Sequence, residues 1–265
     1  MHQFPHPLMV VSDLDGSLLD HHTYRWEDAI IWLDRLRAQG IPLVFCTSKT
    51  AAEVLPLQRE MGLEGQPWIA ENGAIAHMAD DVGTQHRFPT PWHYPALCQW
   101  LANLRQHENY HFIGFHDATA QQIAEWTGLS LAQARLAMQR EAAECVIWRD
   151  SEARLQQFQH QLQAQGLTLT EGGRFWHVMA DSAGKGNALQ WMLQTFKQVG
   201  KQWTTLGLGD GPNDIPMLEM TDYAVVIKGH SRHPVTLTRD DSARVYYAHA
   251  RGPQGWSEGL AHFIS

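Results

Sequence analysis

The sequence predicts an α/β fold in which a doubly wound parallel-sheet core is interrupted by an inserted α+β domain. Two observations lead to this prediction. Short continuous apolar runs alternate with helical segments near both ends of the chain, which is typical of parallel strands buried between helices. The segment between these stretches instead contains several helices and a hairpin pattern. We therefore predict a core of residues 1–88 and 182–265 and an insert of residues 89–181.

Strand and helix patterns alternate in the first part of the core. Leu8–Val11 is a short apolar run that ends at Ser12 and Asp13, as expected of a buried strand. Apolar residues from Trp26 to Leu36 recur at helical spacing, and Gly40 can end that helix. The other elements predicted here are a strand at Ile41–Cys46, a helix at Ala51–Met61 and a short strand at Trp68–Ala70.

Prolines mark the start of the insert. The segment Arg87–Pro95 contains three prolines, which favours an exit from the core. Ser130 with Gln133 three residues later forms a capping-box pattern at the start of one helix. The remaining predicted elements are helices at Ala96–Arg105 and after Ser151, strands at Tyr110–Phe115 and Cys145–Trp148, and a hairpin of Leu167–Thr170 with Arg174–Met179.

The core pattern returns after Ala183-Gly184-Lys185-Gly186. A helix is predicted up to about Val199, followed by a strand at Trp203–Leu208. Short strands at Ala224–Ile227 and Val245–Ala248 complete the predicted sheet. The core is thus interrupted once and then resumed.

Composition and charge limit the expected partners. The formal net charge is −8 and the pI is about 6.0, so no broad basic surface for nucleic acid or anionic lipid is expected. Three widely separated cysteines favour a reducing compartment over a disulfide framework. The N-terminal segment lacks a cationic start and a long apolar run. We expect a cytoplasmic protein that binds neither nucleic acid nor membrane, and nothing in the sequence implies a protein partner.

Acidic and hydroxyl residues directly follow three of the predicted core strands. They are Asp13 and Asp15, Thr47 and Ser48, and Asp210 and Asp214. Ligands of open parallel sheets bind beyond the carboxyl ends of the strands, so we expect these residues to converge. Several carboxylates in one crevice repel each other unless a cation lies between them, and all-oxygen ligands select a hard ion. The sequence therefore predicts a Mg²⁺ site that attracts phosphate.

The spacing of Asp13 and Asp15 suits phosphoryl transfer. Residues two apart in an extended segment face the same way, so one carboxylate can attack phosphorus while the other donates a proton to the leaving oxygen. Lys185 is the candidate cation that stabilises the transferring group. Two other motifs fail: neither acidic segment has the glycine and glutamate of a calcium-binding EF-hand loop, and Gly186 occupies the Ser/Thr position of a Walker A motif.

These segments resemble, in chain order, the four motifs of the haloacid dehalogenase-like (HAD) hydrolase superfamily. They are Asp13-Leu14-Asp15-Gly16-Ser17, Thr47-Ser48, Lys185 and Gly209-Asp210-Gly211-Pro212-Asn213-Asp214. Ser17 stands where many members have threonine. An insert between the second and third motifs resembles the α/β cap of the sugar-phosphatase branch.

Other segments resemble the mannosyl-3-phosphoglycerate phosphatase family more narrowly. They are Thr47-Ser48-Lys49-Thr50, Glu71-Asn72-Gly73-Ala74, Thr127-Gly128-Leu129-Ser130 and Arg140-Glu141. Members of that family convert 2-O-mannosyl-3-phosphoglycerate to mannosylglycerate and phosphate. The resemblance implies a small phosphorylated sugar-glycerate as substrate and Mg²⁺ as cofactor.

The resemblance also implies roles for individual residues. Asp13 is the expected nucleophile, Asp15 the general acid/base, Thr47 a phosphate ligand, and Lys185 the residue that steadies the intermediate. The expected Mg²⁺ ligands are the Asp13 carboxylate, the Asp15 carbonyl and either Asp210 or Asp214, the other acid acting through water. The substrate-contact candidates are Ser48, Asn213, Arg140, Arg174 and His177.

Three other interpretations remain open at this point. His107-Glu108-Asn109-Tyr110-His111 spells the HExxH pattern of zinc metalloproteases, which requires one helix through His107 and His111; the strand pattern that follows argues against such a helix. The same fold can also serve a sugar phosphomutase, or phosphatases of glucosyl-3-phosphoglycerate, sucrose-phosphate or trehalose-phosphate. A non-catalytic metabolite-binding module is disfavoured, because binding alone does not require both Asp13 and Asp15.

Overall fold

Strands and helices alternate along the chain as the sequence predicts. A computed structural model describes residues 4–172, 175–230, 234–239 and 241–264. The strands are β1 (Leu8–Ser12), β2 (Leu43–Cys46), β3 (Trp68–Ala70), β4 (Ile75–Ala79), β5 (Gln85–Arg87), β6 (Phe112–Gly114), β7 (Glu144–Trp148), β8 (Leu167–Glu171), β9 (Trp176–Ala180), β10 (Thr204–Gly209), β11 (Tyr223–Val226) and β12 (Val245–Tyr247). The α-helices are α1 (Ile30–Ala38), α2 (Ala51–Glu60), α3 (Tyr94–Glu108), α4 (Ala120–Thr127), α5 (Leu131–Ala137), α6 (Glu152–Gln163), α7 (Lys185–Gln198), α8 (Ile215–Met220) and α9 (Gly252–Phe263).

The main sheet has its parallel strands at the centre. Its order is β12-β11-β10-β1-β2-β3-β4-β5, and pairing is parallel from β12 through β3. β4 and β5 add to one edge in antiparallel orientation. The order places β1 directly between β10 and β2, so the segments that follow these three strands are neighbours in space.

Helices cover both faces of the main sheet, which explains why its strands are apolar without alternation. On one face, Val10 and Phe45 share a buried cluster with residues of α1, α2 and α9. On the other face, Val11 and Val44 share a cluster with residues of α7 and α8. The predicted doubly wound α/β core is therefore confirmed.

A second sheet is formed by strands that all lie between β5 and α7 in the chain. Its order is β6-β7-β9-β8, with antiparallel pairing throughout. Residues of α3 and α6 pack in one buried cluster with this sheet, and residues of α4 and α5 pack in another. The predicted α+β character of this region, including the β8–β9 hairpin, is confirmed.

Two parts of the fold were not predicted. The antiparallel strands β4 and β5 extend the core sheet, and α9 ends the described chain. The predicted capping box at Ser130 is present, with its hydroxyl accepting the Gln133 amide. Among the described residues, no helix combines the length and apolarity needed to cross a bilayer.

The zinc-protease interpretation does not fit this fold. Helix α3 ends at Glu108, and Asn109 adopts a left-handed conformation with φ of 56°. His111 comes after this break, so the helix that the HExxH pattern requires for His107 and His111 does not form. The strand-forming residues that follow Asn109 explain the early end of the helix.

Candidate active site

The polar segments after β1, β2 and β10 lie together at the carboxyl edge of the sheet. The Asp13 amide donates to the Leu208 carbonyl of β10 at 2.8 Å. The Thr47 amide donates to the Ile69 carbonyl of β3 at 2.9 Å. These bonds continue the pairing of the parallel strands one residue past their ends. Pairing within the sheet therefore fixes the positions of Asp13 and Thr47, the first polar residues of these two segments.

Lys185 joins two of these segments through its ammonium group. Its Nζ donates to Asp13 Oδ1 at 2.7 Å and to Asp214 Oδ1 at 2.6 Å. Lys185 is the first residue of α7 and is only 2% exposed. Burial lowers the pKa of its ammonium, but the Asp13 and Asp214 carboxylates more than offset this, so the pKa lies above its ordinary value. Lys185 is therefore held as a buried cation between two acids.

Backbone amides at the start of the segment after β10 hold the Asp214 carboxylate. Its Oδ2 accepts the amides of Asp210 at 3.0 Å and Gly211 at 2.9 Å, while Oδ1 accepts from Lys185. The side chain is 1% exposed. Both carboxylate oxygens are thus already engaged by hydrogen-bond donors.

Asp210 is packed against the turn that follows Asp13. The Ser17 hydroxyl donates to Asp210 Oδ1 at 3.4 Å. Gly16 has a φ of 89°, and a Cβ at this position would collide with the Asp210 carboxylate. Only glycine therefore allows the turn to pass this close to the acid.

The Asp13, Asp210 and Asp214 carboxylates form one acidic group. Each offers an oxygen that lies within 4.8 Å of the other two. Burial raises the pKa of Asp13 to about 7, with a further contribution from the Asp214 carboxylate, against the lowering effect of Lys185. Burial and the charges of Asp13 and Asp214 raise the pKa of Asp210 well above its ordinary value. One lysine is therefore not enough to relieve the repulsion among these carboxylates.

Asp15 lies outside this acidic group and has a different cation. Its Oδ1 pairs with Lys49 Nζ at 3.0 Å, and its side chain is 31% exposed compared with 8% for Asp13. Burial lowers the pKa of Lys49, but the Asp15 and Glu53 carboxylates more than offset this and raise it above the ordinary value. Asp15 is thus the more accessible of the two aspartates in its motif.

The hydroxyl segment after β2 places its two residues differently. Thr47 is fully buried, and its hydroxyl oxygen accepts the Lys49 amide at 3.1 Å. Ser48 lines a cavity between the two sheets, as does Asn213. The Asn213 side-chain amide donates to Asn72 Oδ1 at 3.1 Å.

This cavity has a volume of about 550 Å³ and is lined by residues of both the core and the insert. From the core it receives Asp13, Asp15 and Asp210. From the insert it receives Arg140, His177, Phe115, Phe175, Cys145 and Thr127. Arg174, the remaining predicted substrate contact, lies outside the described residues. The cavity therefore joins the acidic group to a wall of mixed polar and aromatic side chains.

Arg140 and His177 are both buried in the insert wall. Arg140 is 7% exposed; its Nε donates to the Ala143 carbonyl at 2.6 Å, while its buried Nη2 has no partner among the described residues. Burial lowers the pKa of Arg140, but the nearby Cys145 thiol and Glu71 carboxylate contribute to raising it overall. Burial and the Arg140 charge lower the pKa of His177 to about 3. The wall thus presents a charged guanidinium beside a neutral imidazole.

A match to a known family decides what kind of protein carries this site. Residues 10–233 match the family of haloacid dehalogenase-like hydrolases. The chain belongs to this family.

Solved structures of haloacid dehalogenase-like hydrolases and related phosphatases share the fold along almost the whole chain. A phosphatase of the HAD superfamily from Bacteroides thetaiotaomicron, BT1666, is similar with a TM-score of 0.68 and 20% identity, over 97% of this chain and 95% of that chain. The sucrose-phosphatase from Synechocystis sp. PCC6803, solved with sucrose and phosphate, is similar with a TM-score of 0.60 and 18% identity, over 98% of this chain and 100% of that chain. The Thermoplasma acidophilum protein 0175 has a TM-score of 0.68 and 17% identity, over 97% and 98% of the two chains.

The Mg²⁺ that haloacid dehalogenase-like hydrolases generally use fits the acidic group of this chain. The donors are carboxylate oxygens, which hard divalent cations prefer. Burial, together with the charges of the neighbouring carboxylates, raises the pKa values of Asp13 and Asp210, and a divalent cation bound among them would stabilise their ionised forms. The residues present are therefore suited to this metal.

Sequence reasoning did not assign a role to three residues that build this hydrolase site. Lys49 and Glu71 lie in segments that carried a family resemblance, but their partners are distant in sequence. The Glu71 carboxylate accepts the amides of Glu141, Ala142 and Ala143 at 2.7, 3.0 and 2.8 Å. Tyr24 lies in a turn without a recognisable motif, and no sequence signal points to it.

Proposed function

We propose that the protein is a Mg²⁺-dependent phosphatase that hydrolyses 2-O-mannosyl-3-phosphoglycerate to mannosylglycerate and phosphate. One observation carries the phosphatase proposal: the buried Lys185 ammonium holds Asp13 and Asp214 at 2.7 and 2.6 Å beside a cavity that Asp15 also lines. In this proposal, residues 1–88 and 182–265 form the catalytic core. Residues 89–181 form the cap that selects the substrate.

The first half-reaction uses the two aspartates of the first motif. A carboxylate oxygen of Asp13 attacks phosphorus and forms an aspartyl-phosphate, while the bond from phosphorus to the glycerate oxygen breaks. Asp15 donates its proton to that leaving oxygen, which departs as the hydroxyl of mannosylglycerate. The greater exposure of Asp15 and its position on the cavity wall support this division of roles.

The second half-reaction regenerates the enzyme. Asp15, now ionised, accepts a proton from water as the water oxygen attacks phosphorus, and the bond from phosphorus to Asp13 breaks. Phosphate leaves and Asp15 is protonated again. Lys185 offsets the negative charge of the transferring group, while Thr47, Ser48 and Asn213 are the proposed phosphate contacts.

Two carboxylates and one carbonyl would hold the metal directly and a third carboxylate would do so through water; the metal would supply positive charge that stabilises the transferring phosphoryl group. The proposed donors are Asp13, Asp210 and Asp214 with the backbone carbonyl of Asp15. Both oxygens of Asp214 already accept hydrogen bonds from Lys185 and two amides, whereas Asp210 accepts one long bond from Ser17. We therefore assign Asp210 as the direct ligand and Asp214 as the acid that acts through water.

Arg140 supports a substrate with an anionic group besides the phosphate. A buried donor without an acceptor is unfavourable, and the Arg140 Nη2 has no partner among the described residues. The nearby Glu71 and Glu144 carboxylates offset the charge of Arg140 but accept their hydrogen bonds from other groups. A ligand carboxylate in the cavity would complete the surroundings of the guanidinium. The glycerate moiety supplies such a group, and His177 and Arg174 are the further proposed contacts in this wall.

The likeness in fold to sucrose-phosphatase favours a second candidate, a phosphatase whose substrate is a sugar phosphate with no charged group besides the phosphate. Such a substrate offers Arg140 no carboxylate. The two candidates therefore differ in what they predict for substitutions at this residue.

The test measures phosphate release with Mg²⁺ and with EDTA. The substrates are mannosyl- and glucosyl-3-phosphoglycerate, sucrose-phosphate, trehalose-phosphate and simple hexose phosphates. We expect mannosyl-3-phosphoglycerate to have the highest kcat/KM, EDTA to abolish turnover, and Asp13→Asn to be inactive. The control is Asp34→Asn, which changes an acid that is 62% exposed and pairs with the exposed Arg37. A higher kcat/KM for hexose phosphates would refute the assignment of the substrate.

Variants at Arg140 separate the two candidates. Arg140→Met should lower kcat/KM for the phosphoglycerate substrate far more than for sucrose-phosphate, while Arg140→Lys should retain part of the activity. An equal loss on both substrates would show that Arg140 does not contact the carboxylate.

A further inference from the structure

We propose that Lys49 is a positioning residue that fixes the side chain of Asp15, and that Tyr24 and Glu53 make this position depend on how the insert sits on the core. The proposal deepens the function proposed above and rests on it, because there Asp15 is the proton donor to the leaving group. It assigns to Lys49 a role distinct from phosphate binding.

The Lys49 ammonium is held by three partners. Its Nζ lies 3.0 Å from Asp15 Oδ1, 3.7 Å from Glu53 Oε1 and 4.8 Å from the centre of the Tyr24 ring. Its side chain is 11% exposed. An ammonium group has three N–H donors and is attracted to the face of an aromatic ring. One short pair with Asp15, one longer ion pair with Glu53 and the contact with the Tyr24 ring together hold the side chain in one place.

Lys185 and Lys49 pair with different acids of the site. Lys185 contacts Asp13 and Asp214 within the acidic group, whereas Lys49 contacts Asp15 outside it. A proton donor must face the leaving oxygen rather than the phosphoryl oxygens that the metal side of the site attracts. By pairing with Asp15, Lys49 keeps this carboxylate out of the acidic group and on the cavity wall.

Both supports of Lys49 are tied to helices of the insert. The Tyr24 hydroxyl donates to the carbonyl of Thr127, the last residue of α4, at 3.2 Å. Glu53 forms a capping box with Thr50, and the Thr50 hydroxyl donates to the Leu136 carbonyl in α5 at 2.9 Å. Movement of α4 and α5 away from the core would thus break the bond to Tyr24 and the bond to Thr50, the capping-box partner of Glu53.

The backbone around Tyr24 is also shaped to hold the ring in place. Tyr24 has a φ of 58°, which is uncommon for a residue with a side chain of this size. Asp20 builds the preceding turn, because its Oδ1 accepts the amides of His22 and Thr23 at 3.1 and 2.8 Å. The strained conformation is maintained by this turn and directs the ring to Lys49.

The geometry leads to a specific expectation about the reaction cycle. With α4 and α5 seated on the core, Lys49 is fixed and Asp15 faces the cavity. With the insert displaced, Tyr24 and Thr50 lose these bonds, so the Tyr24 ring and Glu53 are held less firmly beside Lys49. Proton donation by Asp15 would then be most effective when the insert covers the substrate.

The test compares two phosphate esters that differ in their need for a proton donor. An alkyl ester such as a hexose 6-phosphate has a poor leaving group that must be protonated, whereas the nitrophenolate of p-nitrophenyl phosphate leaves without a proton. Both esters share the hydrolysis of the aspartyl-phosphate, whereas kcat/KM reports only the steps up to departure of the leaving group. We therefore expect Lys49→Met to lower kcat/KM about 10²-fold on the alkyl ester and only a few-fold on p-nitrophenyl phosphate. Lys49→Arg should recover part of the loss, and Lys201→Met, which alters an exposed pair with Asp81, should behave as wild type.

A double variant tests whether Lys49 acts through Asp15. Asp15→Asn should show the same dependence on the leaving group, and Lys49→Met combined with Asp15→Asn should be no slower than Asp15→Asn alone. Equal losses on both esters for Lys49→Met, no loss on either, or a further loss in the double variant would overturn the positioning role.

Tyr24→Phe tests the dependence on the insert. This variant keeps the ring beside Lys49 and removes only the hydroxyl that reaches Thr127. We expect a smaller loss of kcat/KM than for Lys49→Met, again confined to the alkyl ester; unchanged kcat/KM on both esters would overturn the coupling. Failure of the proposed function gives a different result, because wild-type protein with Mg²⁺ would then release no phosphate from these two esters or from mannosyl-3-phosphoglycerate.

Discussion

Replacing Glu71 by glutamine should destabilise the contact between core and insert. Glu71 is fully buried, and its two carboxylate oxygens accept three amides of the insert at 2.7, 3.0 and 2.8 Å. Glutamine has a single acceptor oxygen, so at least one amide would face an NH₂ group instead. The remaining bonds would lose the strength that a charged acceptor gives them.

These losses can be converted into an expected change in stability. A buried donor left without an acceptor costs about 1–3 kcal/mol, and hydrogen bonds to charged groups are worth about 1.5–3 kcal/mol. Because a neutral acceptor retains roughly half of that strength, we expect a total loss of about 2–4 kcal/mol. For a chain of this size, that corresponds to a decrease in Tm of roughly 5–12 °C.

Thermal unfolding followed by circular dichroism measures this effect. The matched control is Glu64→Gln, because Glu64 is 69% exposed and pairs with the exposed Arg59; its Tm should change by less than about 2 °C. A Glu71→Gln protein that unfolds within 1 °C of wild type would refute this account of the contact.

Further predictions concern the metal site and the cavity wall. Gly16→Ala should raise the Mg²⁺ concentration needed for half-maximal activity, because the new Cβ would displace the Asp210 carboxylate. Gly40 also has a positive φ, but a Cβ there would have nothing within 4 Å. Gly40→Ala should therefore need no more Mg²⁺ than wild type. The pKa of His177 is lowered from 6.5 to about 3 in the folded protein, so its imidazole binds a proton more readily in the unfolded chain. The free energy of unfolding should therefore decrease as the pH falls below about 6.5. Between pH 7 and pH 5, the free energy of unfolding of wild type should fall by about 2 kcal/mol more than that of His177→Gln, as measured by chemical denaturation. An identical decrease in both proteins would contradict the burial of a neutral imidazole.

The core of the fold could be predicted because its strands are covered on both faces. Such strands are continuous apolar runs, and the runs at Leu8–Val11 and Trp203–Leu208 overlap β1 and β10. Strands β4 and β5 were not predicted because the half-buried His77 interrupts the apolar residues of β4, and β5 contains only polar residues.

Helix α9 escaped prediction for a different reason. It contains Gly252, Gly255 and Gly259, and glycine is a poor helix former. A Cβ on Gly259 would collide with Val225 of β11, so close packing on the sheet favours glycine here. Tertiary packing thus overrides the local preference, and a single sequence does not show it.

The sequence indicated which side chains meet at the site but not how they pair. Parallel strand ends bring Asp13 and Asp210 together, and chain order pointed to Lys185. The assignment of Lys185 to Asp13 and Lys49 to Asp15 depends on distances between side chains. The contacts of Tyr24 and Glu71 with the insert depend on how two units pack, which local patterns do not encode.

The most direct test of the central claim is to look for phosphate bound covalently to Asp13. Wild-type protein would be mixed with ³²P-labelled substrate and Mg²⁺, quenched in acid within one turnover, and digested for mass spectrometry. We predict that the label is found on the peptide that contains Asp13 and is absent from Asp13→Asn. Rapid phosphate release by wild type with no labelled peptide at any quench time would contradict an aspartyl-phosphate intermediate.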